Sequence, residues 1–97
     1  MSNPKYKLTL HKTYYDKGFF NLGVDVDRHV RKASGPATLM LGSSKSTYSV
    51  KVNREANLNG TPRIMGGNSV RDWIQRNFTL KDAVTVGIIS LDKLWLY

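Results

Sequence analysis

His11-Lys12-Thr13-Tyr14-Tyr15-Asp16-Lys17-Gly18 and Asn53-Arg54-Glu55-Ala56-Asn57-Leu58-Asn59-Gly60-Thr61-Pro62-Arg63 each lie between two apolar runs. Gly18 and Gly60 supply the positive φ that a tight reversal needs. Around them stand Arg, Lys, Asn, Thr and Tyr, side chains that contact phosphates and hydrogen-bond base edges. In a small basic chain built mainly of strands, two such segments read as a pair of arms for gripping nucleic acid.

The flanking runs carry the period of strands. Tyr6-Lys7-Leu8-Thr9-Leu10 alternates apolar and polar residues, as a half-buried strand does. With Phe19-Phe20-Asn21-Leu22 it is expected to form a hairpin whose long tip is the first arm. Asp25 or Asp27 is expected to cap a short helix over residues 28–32, ended by Gly35-Pro36. Ala37-Thr38-Leu39-Met40-Leu41 is a strand candidate. Thr47-Tyr48-Ser49-Val50-Lys51-Val52 alternates cleanly, with Tyr48, Val50 and Val52 on one face. Ile64-Met65 follows the second arm.

Val70, Trp73, Ile74 and Phe78 form one helical stripe, with Ser69 as the expected N-cap and Asp72 as its capping-box partner. Trp73, Phe78 and Trp95 are assigned to the core. Val84-Thr85-Val86-Gly87-Ile88-Ile89 is apolar on both faces, the mark of an inner strand. Leu91-Asp92-Lys93 reverses the chain into Leu94-Trp95-Leu96-Tyr97. The expected fold is mainly β (α+β), with about seven short strands closing into a barrel-like sheet plugged by two short helices.

A length of 97 residues fits a single domain spanning the chain. Because the sequence ends inside a strand pattern, that domain reads as a module that a longer protein would carry. Apolar residues make up 40% of it, enough for one core but not for a large buried active site as well. Fifteen Lys and Arg against seven Asp and Glu give a net charge of +8. With a pI near 10.0, the chain favours polyanionic partners. Cysteine is absent, which excludes disulfides, thiolate zinc sites and thiol catalysis. No apolar run reaches the length of a membrane span. Met1-Ser2-Asn3-Pro4-Lys5 has no apolar core of the kind a signal peptide needs. A cytoplasmic protein with no membrane partner is expected.

The order of segments resembles the B3-like DNA-binding pseudobarrel, a family that includes plant B3 domains and the recognition or effector domains of some restriction endonucleases. The resemblance is carried by Lys12 to Asn21, by Asn53-Arg54 with Asn59-Gly60-Thr61-Pro62-Arg63-Ile64, and by Leu80-Lys81-Asp82-Ala83-Val84-Thr85-Val86. It spans nearly the whole chain through turn-and-strand patterns of moderate specificity, and the restriction-enzyme branch looks nearer. It implies a seven-stranded open pseudobarrel whose two arms, His11–Asn21 and Asn53–Arg63, grip the major groove of double-stranded DNA. It also implies a nuclease on another domain or chain. Lys81 stands where the family often has Gly, a departure that bears on the tightness of that turn.

Within the arms, Arg54 and Arg63 are candidates for the bidentate contact to guanine O6 and N7. Asn53, Asn57 and Asn59 are candidates for adenine edges, although Asn59-Gly60 is also a plain turn signal. Lys12, Lys17, Arg28, Arg31, Lys32 and Lys51 suit phosphates. Tyr14 and Tyr15 suit a thymine methyl, a phosphate or a stacked base, with one of the two expected in the core. His11, Thr13, Asn21 and Thr61 complete the candidate set.

Two alternatives belong to other classes. One is an RNA or single-strand-binding barrel in which Tyr14, Tyr15 and Tyr48 stack bases. The other is a small metal-dependent nuclease, which needs clustered carboxylates. His11 and His29 are not in ligand spacing, Asp25 and Asp27 read as caps, and Gly66-Gly67 lacks the Lys-Ser/Thr of a phosphate loop. The expectation is a binding protein with no catalytic residue, metal or cofactor.

Overall fold

Alternating residues build a single sheet around one apolar layer. The computed structural model describes residues 4–97. Met1 to Asn3, the start of the segment judged not to be a signal peptide, lie outside the described residues. The strands are β1 (Lys5–Thr9), β2 (Phe19–Asn21), β3 (Gly35–Leu41), β4 (Ser46–Asn53), β5 (Arg63–Met65), β6 (Ala83–Ser90) and β7 (Lys93–Leu96). The helices are α1 (Lys12–Lys17) and α2 (Gly67–Asn77). The seven strands run in the order β1-β6-β7-β3-β4-β5-β2. All neighbours are antiparallel except β3 and β7, which are parallel. The result is the expected mainly-β architecture, an open curled sheet with two helices.

The inward residues follow the pleat. Val50 and Val52 on β4, Val84, Val86 and Ile88 on β6, and Leu94 and Leu96 on β7 are buried. Val70 and Ile74 of α2 are buried against the same layer, with Trp73 and Phe78 partly buried beside them. Trp73 and Phe78 meet edge to face with centroids 5.5 Å apart, a geometry aromatic pairs prefer. The inner-strand reading of β6 holds, since it pairs with both β1 and β7.

Several local expectations are corrected. β1 and β2 form no hairpin, because they are the two edges of the sheet. The segment between them folds as α1 instead of an extended tip. Gly18 does take positive φ, at 76°, but as the left-handed C-cap of α1, donating its N–H to the Tyr14 carbonyl at 2.9 Å. It must also be Gly for packing: a Cβ there would lie 2.5 Å from the Gly67 carbonyl oxygen of α2.

The expected helix over 28–32 is only a 3₁₀ turn, Asp27–His29, and Gly35-Pro36 begins β3 instead of ending a helix. α2 starts at Gly67 with no side-chain cap, so Ser69 is not its N-cap. Asp72 pairs with Arg71 at 2.9 Å, not with a capping serine. The Gly67 start is set by tertiary structure: the Gly66 N–H is held by the Gly18 carbonyl at 3.1 Å.

The turn before β6 is tight despite lacking Gly. Lys81 has φ +73°, and its N–H donates to the Leu10 carbonyl at 2.7 Å. Asp82 closes the turn by accepting the Thr79 N–H at 2.8 Å. A left-handed residue with a Cβ costs about 1–2 kcal/mol, partly offset in Gly by its larger unfolded-state entropy. Lys81→Gly is therefore expected to stabilise the fold by about 0.5–1 kcal/mol, raising Tm by a few degrees in a thermal melt. An unchanged or lower Tm would show that the turn stores no strain.

Candidate nucleic-acid interface

The register of three strands joins the two arms. Val52, Ile64 and Phe20 are direct partners across β4, β5 and β2, and all are fully buried. Side chains alternate faces along a strand, so the next row points away from the core. That row is Asn53, Arg63 and Asn21, again direct partners. The row on the other side of the buried one, Lys51, Met65 and Phe19, shares the outward face. One end of the first arm, both ends of the second, and Lys51 thus meet at one corner of the sheet.

A hydrogen-bonded network fixes this corner. Arg63 donates from Nε to Asn21 Oδ1 at 2.9 Å and from Nη2 to Asn57 Oδ1 at 3.3 Å. Asn57 Nδ2 donates to Asn21 Oδ1 at 3.0 Å and to the Thr61 carbonyl at 3.1 Å. Asn21 Nδ2 donates to Tyr14 Oη at 2.9 Å. The Arg63 guanidinium lies 4.6 Å over the Phe19 ring, a cation–π contact. Tyr14 packs edge-on against Phe19 and at a tilt against His11. Arg63 Nη1 makes no hydrogen bond among the described residues, so part of its fork is held in place yet free to donate outward.

Beside the network the two sheet edges face each other across a groove of about 340 Å³. Tyr6, Lys7 and Thr9 of β1 line one side, and His11, Tyr14 and Asn21 line the other. None of its lining residues is acidic. Tyr6, Lys7 and Thr9 were absent from the sequence-derived site. Their alternation carries only a strand signal, and nothing local shows that β1 and β2 are opposite edges brought together by the curl.

Other candidates are placed differently. Arg54 is not presented for base reading. Its side chain is 12% exposed, and all five guanidinium N–H donors are used. Nε donates to the Arg31 carbonyl at 2.9 Å. Nη1 donates to Asp27 Oδ1 and to the Gly60 carbonyl, and Nη2 to the Asp27 and Val30 carbonyls. Asn53 and Asn59 commit their side-chain oxygens to local turns, accepting the Glu55 and Thr61 N–H groups two residues on. Thr61 is buried, and its Oγ1 donates to Asn59 Oδ1 at 2.8 Å.

Tyr15 packs toward α2, donating to the Phe78 carbonyl at 3.3 Å, and its own carbonyl accepts Gln75 Nε2. Both Tyr14 and Tyr15 are thus half-buried, because the segment is helical and not a strand with opposed faces. Lys12 is exposed but paired with Asp16 at 2.7 Å; that hydrogen bond and charge hold its pKa above the ordinary lysine value. Thr13 and Lys17 are exposed on α1. Arg28 is exposed with Lys32 on a second cleft of about 430 Å³ that reaches Gly60 of the second arm. Arg31 is folded inward onto the Ala33 and Pro36 carbonyls. Among the described residues no group of three or more His, Asp or Glu side chains comes together to hold a metal. No described helix is long and apolar enough to cross a membrane.

No family model matches the sequence, and no curated protein matches it. Among solved structures, the chain is similar to the N-terminal domain of Helicobacter pylori LlaJI.R1, with a TM-score of 0.63 at 15% identity. The match covers 95% of this chain and 77% of that one. At that identity the likeness is one of fold.

Proposed function

We propose that this chain is a sequence-specific double-stranded-DNA-binding domain that grips the major groove between arms His11–Asn21 and Asn53–Arg63. It serves as the recognition or effector module of a restriction system, and DNA cleavage belongs to another domain or chain. The observation that carries this reading is the Asn21–Asn57–Arg63 network, which joins both arms and holds an Arg fork on the outward face of the sheet. A preorganised Arg suits guanine recognition, and surrounding Lys suit phosphates. The charge of +8 supports a polyanionic partner. Further support comes from the shared fold with a domain of LlaJI.R1, a restriction-system protein.

Competition between duplex and single-stranded oligonucleotides tests the reading. Duplex is expected to win, with affinity falling linearly in log-log form as salt rises. Preference for single strands or RNA would instead favour base stacking on Tyr14, Tyr15 and Tyr48. Incubation with supercoiled plasmid and Mg²⁺ is expected to leave the plasmid intact. Nicking or linearisation would assign the chemistry to this chain.

A further inference from the structure

The apex of the second arm is held by its own hydrogen bonds. Its amide side chains bond within the arm and to its neighbour: Asn57 onto Asn21 and Thr61, and the exposed Asn59 back onto the Thr61 N–H and hydroxyl. The Gly60 carbonyl is taken by Arg54, and the Gly60 N–H closes the turn on the Asn57 carbonyl at 3.0 Å. Between these pinned residues stands Leu58, with a relative exposure of 111%. Exposed Val24, Leu80 and Leu91 reach only 69%, 46% and 59%. Single apolar residues on a surface are ordinary. A leucine held clear of the fold by a turn that spends its polar groups on internal bonds is not. It sits one residue from Asn57, inside the network that orients Arg63.

Resting on the DNA-binding reading above, we infer that Leu58 is a specificity-determining residue that contacts a pyrimidine C5-methyl group in the major groove. In that groove the C5-methyl is the one apolar mark on a base-pair edge, and it is read by apolar side chains. Among the groups on base-pair edges in that groove, this methyl is the one against which a projecting leucine gains by leaving water. Asn57 and Gly60 fix the turn, so little ordering is left to offset that gain. Two sources present the same methyl group, thymine and 5-methylcytosine.

The test uses the duplex site that the wild-type chain selects. Each thymine is replaced in turn by deoxyuridine, which removes the methyl, and each cytosine by 5-methylcytosine, which adds it. Affinity is measured for the wild type and for Leu58→Ala, with a thermal melt of both. The wild type is expected to change affinity about 3- to 10-fold at one position. Leu58→Ala should lose that sensitivity, bind the native site about tenfold more weakly at most, and melt at the wild-type temperature. The responding arm identifies thymine or 5-methylcytosine as the source. A variant that keeps wild-type affinity and methyl sensitivity overturns the inference and leaves the DNA-binding reading standing. Uniform weakening with no methyl-dependent position overturns it too, assigning Leu58 to a backbone or sugar contact. A wild type that retains no duplex overturns the underlying reading and this inference with it.

Discussion

Arg54→Ala is expected to destabilise the fold by about 2–4 kcal/mol, a large share of the roughly 5–15 kcal/mol that a domain of this kind possesses. The loss has a defined origin. The Arg54 guanidinium ties the 3₁₀ turn, the segment after it and the Gly60 turn to the end of β4 through five hydrogen bonds. Removing it leaves the carbonyls of Asp27, Val30, Arg31 and Gly60 without this donor, and an unmade bond to a buried acceptor costs more than a made one gains. The Asp27 side chain is 42% exposed, so water screens the ion pair and that share of the loss is small.

Arg54→Lys is expected to recover only part of the stability, since a single ammonium cannot reach carbonyls on opposite sides of a planar fork. Urea unfolding should show a lower midpoint at unchanged m-value. A near-neutral Arg54→Ala would mean that the five bonds are not formed in solution and that Arg54 is free to face a ligand.

Arg63→Lys is expected to weaken binding to the preferred duplex site by roughly tenfold to a hundredfold, the range of a lost bidentate base contact of about 1–3 kcal/mol. The same variant should leave binding to unrelated duplex nearly unchanged. The physical reason is the division of labour between charge and shape. Lysine keeps the positive charge and hence the salt dependence. It cannot lie over Phe19 and keep a fork bonded to Asn21 and Asn57 while presenting donors outward. Measured across a salt series, the variant and wild type should give parallel log-log slopes offset only on the preferred site. An equal loss on all sequences would reduce Arg63 to a phosphate contact.

The sheet is legible in the sequence where apolar or alternating runs are long. β3, β4 and β6 lie where the runs at Ala37, Thr47 and Val84 place them. α1 was not, because six residues are too few to show a period and Gly18 signals a strand turn and a helix end equally well. The candidate site was half legible for a similar reason. Residue type marked Asn21, Asn53, Asn57 and Arg63, but their convergence depends on the β2–β5–β4 register, which no local pattern carries. Arg54 and Arg63 look alike in sequence, nine residues apart in one polar segment. Only burial separates a guanidinium spent on the fold from one partly free. Leu58 lies inside the second arm in the sequence, but residue type alone does not separate a projecting leucine from one folded into the turn.

The most direct test is selection from a randomised duplex pool at about physiological salt, where backbone binding is suppressed. The chain is expected to enrich a motif of a few base pairs that contains a guanine and is lost with Arg63→Lys. Retention without enrichment, or no retention of duplex, would contradict sequence-specific recognition by the two arms.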